Sequence, residues 1–124
     1  MVKQYIELGD SNWGVVVCYD IDKEDSQEVT ALLRALGCPE KTLRKSIYII
    51  THKLNSALTF SNTDLKMSLV CIGKTSSKDQ LINSIVHEAK HVQSHVCGYY
   101  NVREDGERAA YLIGYIVQMM YKAL

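Results

Sequence analysis

The chain has 124 residues, 47% of them apolar, which is enough for one domain with its own core and too little for two. Lys and Arg number 14 and Asp and Glu number 14, with no block of like charge, so neither a nucleic-acid partner nor an anionic membrane surface is expected. No apolar run approaches the roughly 20 residues of a membrane span. The short run Val15 to Cys18 is not the core of a secretory leader, so a cytoplasmic protein is expected.

In chain order, WGVVVCY at residues 13 to 19 is a β-branched apolar run bounded by Gly9, Asp10 and Asp20, and it reads as a central strand. Residues 24 to 36 carry Val29, Leu32, Leu33 and Leu36 at helical spacing, begin with acidic residues and stop at Gly37 and Pro39, which predicts a helix. Residues 39 to 46 are expected to form a short helical turn, and SIYIITH, SALTFSN and KMSLVCIG to follow as three strands. From a cap at Ser76 or Ser77 the period returns to three and four through Leu81, Ile85, Ala89, Val92 and Val96, predicting a helix over 78 to 97. Gly98, Asn101 and Gly106 mark a turn. The last helix, 105 to 122, has hardly any polar face after Arg108 and should be buried in the domain or against a second copy. Cys18, Cys38, Cys71 and Cys97 form no C-x-x-C pair and are expected as reduced, mostly buried thiols. The pattern is that of a small α+β domain, a short mixed or antiparallel sheet packed on the last two helices.

The penultimate helix carries SIVHEAKHVQSH, an H-E-x-x-H pattern at His87, Glu88 and His91. Four helical residues advance by about 400°, which puts His87 and His91 on one face with Cβ atoms about 6 Å apart, where two imidazoles can share an ion. Glu88 is turned by about 100° from His87, a place for a general base beside a ligated water rather than for a ligand. His95 stands about 12 Å from His87 along the helix, too far for the three to meet at one tetrahedral ion, and is expected to support the site or face solvent. Residues 92 to 95 hold no glycine, which excludes the metzincin arrangement. The remaining ligand is sought in the next helix, at Glu104 or Glu107. Glu107 is preferred because it shares a face with Ala110, Tyr111 and Gly114, whose small members would permit close approach to the histidine helix.

H-E-x-x-H on one helix with a glutamate on the next resembles the gluzincin class of zinc metallopeptidases, at the size of a minigluzincin. LTFSN, SLVCIGKTSS, LINSIVHEAKHVQ and GERAAYLIGYI, over roughly residues 57 to 117, resemble small, mostly uncharacterised metallopeptidases of phage and mobile-element origin. The resemblance implies Zn²⁺ held by His87, His91 and Glu107, with Glu88 as general base. A further donor is then needed for the oxyanion; Tyr111 ranks first, ahead of Tyr99 and Tyr100. The substrate implied is a peptide or protein, laid against the edge strand of the sheet.

Two other readings stand beside this one. The first is a non-catalytic, metal-stabilised interaction or assembly protein that keeps the peptidase fold. The second is a homodimer through the C-terminal helix, whose Ile113, Ile116, Val117, Met119, Met120 and Leu124 exceed what a small core covers. Two His and a Glu also suit iron.

Overall fold

The computed structural model describes residues 1–124 and contains one mixed sheet of four strands. Its strands are β1 (Val2–Leu8), β2 (Trp13–Ile21), β3 (Ala57–Asn62) and β4 (Met67–Gly73), in the spatial order β1-β2-β4-β3. β1 and β2 are antiparallel, β2 and β4 parallel, and β3 and β4 an antiparallel hairpin. The helices are α1 (Ser26–Ala35), α2 (Glu40–His52), α3 (Lys78–Tyr100) and α4 (Glu107–Lys122).

β2 is apolar along nearly its whole length because helices cover both sheet faces. Side chains alternate from Val15 to Tyr19: Val15, Val17 and Tyr19 join Ile85, Val92, Ile116 and Met120 under α3 and α4, whereas Val16 and Cys18 and, past the irregularity at Asp20, Ile21 join Val29, Leu33, Leu43 and Ile50 under α1 and α2. β4 divides in the same way, Val70 and Ile72 to the first cluster and Leu69 and Cys71 to the second. The expected α+β class and central position of β2 hold. All four cysteines are free and buried, with Cys18 directly opposite Cys71 in the β2–β4 register.

Three expectations are corrected. SIYIITH is the second half of α2 and not a strand: Leu43, Ile47 and Ile50 recur at four and three and pack on the second cluster, which outweighs the β-branched preference of the local run. Val2–Leu8 forms a strand that had not been anticipated; only Ile6 and Leu8 in it are buried, a short alternating signal. α4 is buried within the domain on one side only. Ala109, Ile116 and Met120 are buried, so Ile116 and Met120 belong to the core instead of exceeding it, while Tyr111, Tyr115 and Tyr121, and Leu124 beyond the helix end, are exposed.

α3 is 23 residues long, and its limits have local causes. The Ser77 side chain caps it by accepting from the Gln80 backbone N–H, and Asn101 closes it in the left-handed conformation that Asn tolerates. No helix is long and apolar enough to cross a membrane.

The packing of α4 predicts a contrast between its two sides. Ile116→Ala, at a site with no solvent exposure, should cost about 2–5 kcal/mol in urea denaturation, while Tyr111→Ala on the outer side should stay within about 0.5 kcal/mol. Equal losses would mean that α4 is not seated as described.

Candidate functional site

Ile85, Ala89, Val92 and Val96 fix the azimuth of α3 by packing on the sheet. With those four inward, Glu88 falls on the flank of α3 that faces β3, and His87 and His91 fall outside. Glu88 is 4% exposed, and its Oε1 accepts a hydrogen bond of 2.9 Å from the Thr59 hydroxyl of β3. The two histidines are exposed, with their Nε2 atoms 3.2 Å apart and their rings tilted at 66°. Tetrahedral bonds of about 2.05 Å separate two ligand nitrogens by about 3.3 Å, so the pair has the spacing of one edge of a zinc coordination tetrahedron. Glu88 Oε2 lies 3.9 Å from His87 Nε2, beside that edge. Both histidines thus lie together on the exposed side of α3, with Glu88 turned toward β3.

No third His, Cys, Asp or Glu joins them in a group able to hold an ion. Glu107 is the first residue of α4 and is exposed, and the structure does not bring it to the histidines. The expected close face at Ala110, Tyr111 and Gly114 points outward, and a Cβ added at Gly114 would meet nothing within 4 Å. Ala109, Ile116 and Met120, buried on the opposite side, decide the orientation of α4 instead. Glu104 does touch α3: its Oε2 accepts from Lys90 Nζ at 3.0 Å and from Ser94 Oγ at 3.1 Å, the residues three beyond His87 and His91. Those bonds hold the Glu104 carboxyl below its ordinary range.

Tyr111 lines a cleft of about 640 Å³ with Asp10, Val96 and Arg108, and none of His87, Glu88 and His91 lines it. Tyr99 and Tyr100 pack edge-on against Trp13, with ring centroids 5.7 and 6.5 Å away. His95 is half-buried, and its Nδ1 is 2.6 Å from the Ser61 hydroxyl; burial, and then the neighbouring His91, lower its pKa.

Thr59 and Ser61 had not been singled out from the sequence. The signal was present, because in LTFSN the polar Thr59 and Ser61 alternate with Leu58 and Phe60, and a strand polar on one face needs polar partners there. Leu58 and Phe60 pack toward α1 and α2, and Thr59 and Ser61 meet α3. β3 is also an edge strand, so the backbone groups on its outer side are unpaired beside the Glu88 flank of α3.

No protein-family model, curated protein or solved structure matches the chain. What the site can do rests on its own geometry: two imidazoles spaced for one ion, a buried and oriented carboxylate, and an open strand edge.

The Thr59 bond predicts an asymmetry between two substitutions. Thr59→Val keeps the shape but leaves a buried carboxylate oxygen without its donor, and should cost about 1–3 kcal/mol by urea denaturation. Thr59→Ser, which restores a hydroxyl, should recover most of that loss. Stability unchanged by Thr59→Val would show that Glu88 does not depend on β3.

Proposed function

We propose that the chain is a metal-dependent peptide hydrolase of gluzincin type, cytoplasmic, acting on a peptide laid along β3. The observation that carries this reading is the 3.2 Å separation of the His87 and His91 Nε2 atoms beside a Glu88 carboxylate that Thr59 holds in place. Two protein ligands fit Zn²⁺ there as the structure stands. The third is assigned to Glu107 on the resemblance, which requires the first turn of α4 to move toward α3. Glu104, tethered by Lys90 and Ser94, is the competing carboxylate.

A bound Zn²⁺ would supply Lewis-acid polarisation and a water that ionises near neutral pH. His87 and His91 offer their Nε2 lone pairs, which requires neutral imidazoles protonated at Nδ1. Glu88 accepts the proton of the attacking water and returns it to the leaving amine. Its Oε1 is occupied by Thr59, so Oε2, the oxygen nearer His87, is the one that carries the proton. β3 holds the peptide by main-chain hydrogen bonds at its free edge. Tyr111 serves as an oxyanion donor only if the same motion of α4 carries it over.

The exposure of the histidines and the distance of Glu107 favour a second reading, a metal-stabilised interaction or assembly protein without turnover. In that case the exposed Tyr111, Tyr115 and Tyr121 of α4, with Leu124 beyond its end, are the surface for a second copy.

Metal analysis and a chelator-controlled peptide-library digest separate these readings. Wild-type protein should bind one equivalent of Zn²⁺ and His91→Ala should lose it. Glu88→Gln should keep the metal and lose about 10²- to 10⁴-fold in cleavage rate. Zinc lost from Glu107→Ala but retained in Glu104→Ala would assign the third ligand as proposed, and the reverse would give it to Glu104. Unchanged zinc in His91→Ala, or equal cleavage by Glu88→Gln, would overturn the peptidase reading.

A further inference from the structure

A chain of hydrogen bonds runs from the core to the flank of α3. Trp13 Nε1 is 3.0 Å from Ser68 Oγ, Ser68 Oγ is 2.7 Å from Ser61 Oγ, and Ser61 Oγ is 2.6 Å from His95 Nδ1. Ser68 has no solvent exposure and Trp13 only 3%. Neither the fold nor the proposed chemistry requires this chain, and its donor order can be deduced.

The indole N–H donates and cannot accept, so Ser68 Oγ must be the acceptor of the first bond. The Ser68 hydroxyl proton has no other acceptor than Ser61, so Ser68 donates to Ser61. Ser61 in turn has its own proton to place, and its remaining partner is His95 Nδ1. With Ser61 donating to Nδ1 every proton of the chain is placed within the protein: the bonds then point one way, from Trp13 to the imidazole, and Nδ1 is the acceptor. With Nδ1 unprotonated, a neutral ring carries its proton on Nε2. In the opposite order Nδ1–H would donate to a Ser61 oxygen that already accepts from Ser68, and the Ser61 proton would be left with no acceptor within the protein.

His95 Nε2 makes no hydrogen bond within the protein, and no buried side-chain nitrogen or oxygen is without a partner, so Nε2 reaches solvent. On the helix His95 is turned about 40° from His91 and about 20° from Glu88, one to two turns farther along the same flank. Its ring centroid is 6.4 Å from that of His91. β3 holds both polar residues of this flank in register, Thr59 on Glu88 and Ser61 on His95. We infer that His95 is a fixed neutral hydrogen-bond donor, whose Nε2–H binds a backbone carbonyl of a peptide lying along β3, about three residues from the bond at Glu88. The spacing follows from the roughly 10.5 Å of α3 between Glu88 and His95 and about 3.3 Å per residue of extended peptide. The peptide part of this inference rests on the peptidase reading, whereas the tautomer does not. The same order removes His95 from the metal ligands, because its solvent-facing nitrogen has no lone pair to give.

Nitrogen-15 NMR of the histidine rings in the metal-free wild-type protein tests the tautomer directly. The expected result is a pyridine-type Nδ1 and a pyrrole-type Nε2 for His95. Ser68→Ala removes the hydroxyl that must donate to Ser61 and should let both tautomers appear. A pyrrole-type Nδ1 in the wild type would overturn the inference at its root. The binding role is tested on a peptide that the zinc-loaded wild type cleaves: His95→Leu should raise KM about tenfold with kcat close to wild type, and His95→Gln, which keeps an N–H, should recover part of the loss. Unchanged KM in His95→Leu, or a fall confined to kcat, would remove the binding role. A wild type that cleaves nothing would remove the peptide with the peptidase reading, while the ring nitrogens would still report the tautomer, so the two failures are distinct.

Discussion

The geometry of the candidate site depends on one hydrogen bond, from the Thr59 hydroxyl to the Glu88 carboxylate. A carboxylate 4% exposed is costly to bury unless it is paired or hydrogen-bonded, and Thr59 supplies that partner at 2.9 Å. Without it, Glu88 would be buried with one carboxylate oxygen unpaired, because rolling it toward water would swing Ile85 and Val92 off the sheet at a greater cost. With it, the apolar strip and the polar flank of α3 are satisfied at one azimuth. His87 and His91 are presented outward as a consequence, already at ligand spacing. The apolar packing sets the direction of the helix, and the single polar contact makes that direction affordable for Glu88.

The interactions that seat α4 explain why Glu107 stays away. Gln93, 3% exposed, donates from Nε2 to the Ala109 carbonyl at 2.9 Å, and Lys90 and Ser94 hold Glu104 in the preceding turn. Between these two attachments the chain must complete its turn and start a helix. Gly106 is extended at the N-cap, and Ala109 is already in the core. Glu107 is left on the outer side, where an acidic residue in a first helical turn also complements the helix dipole. Ligation by Glu107 would have to compete with this arrangement, and the Gln93–Ala109 bond is the contact most directly opposed to it.

What could be read in advance follows the range of the interactions. His87, Glu88 and His91 are related by helical geometry alone, so spacing in the sequence was sufficient to place them. β2 announced itself because both of its faces are buried, and α3 because its apolar period runs for several turns. SIYIITH misled because Ile47, Tyr48, Ile49 and Ile50 are good strand residues locally, while the contacts that make them helical are with α1 and β4. The place of Glu107 was the least legible feature. It depends on how α4 crosses α3, and Ala109 rather than Ala110 decides that crossing, a difference of one residue and about 100°.

β3 connects these points. Its inner side chains alternate between two unrelated demands, Leu58 and Phe60 filling the core under α1 and α2 while Thr59 and Ser61 satisfy Glu88 and His95. A strand with both sides committed in this way resists a register shift, because a slip of one residue would put Phe60 against the Glu88 carboxylate and Thr59 into the apolar layer. The outer edge of the same strand is left free by the sheet order. β1, at the other end of the sheet, is tied down by Gln4, which donates to the Met119 carbonyl and accepts from the Tyr19 hydroxyl. The sheet therefore leaves the outer edge of β3 free directly beside the polar flank of α3, on a strand whose Thr59 and Ser61 are already committed to Glu88 and His95.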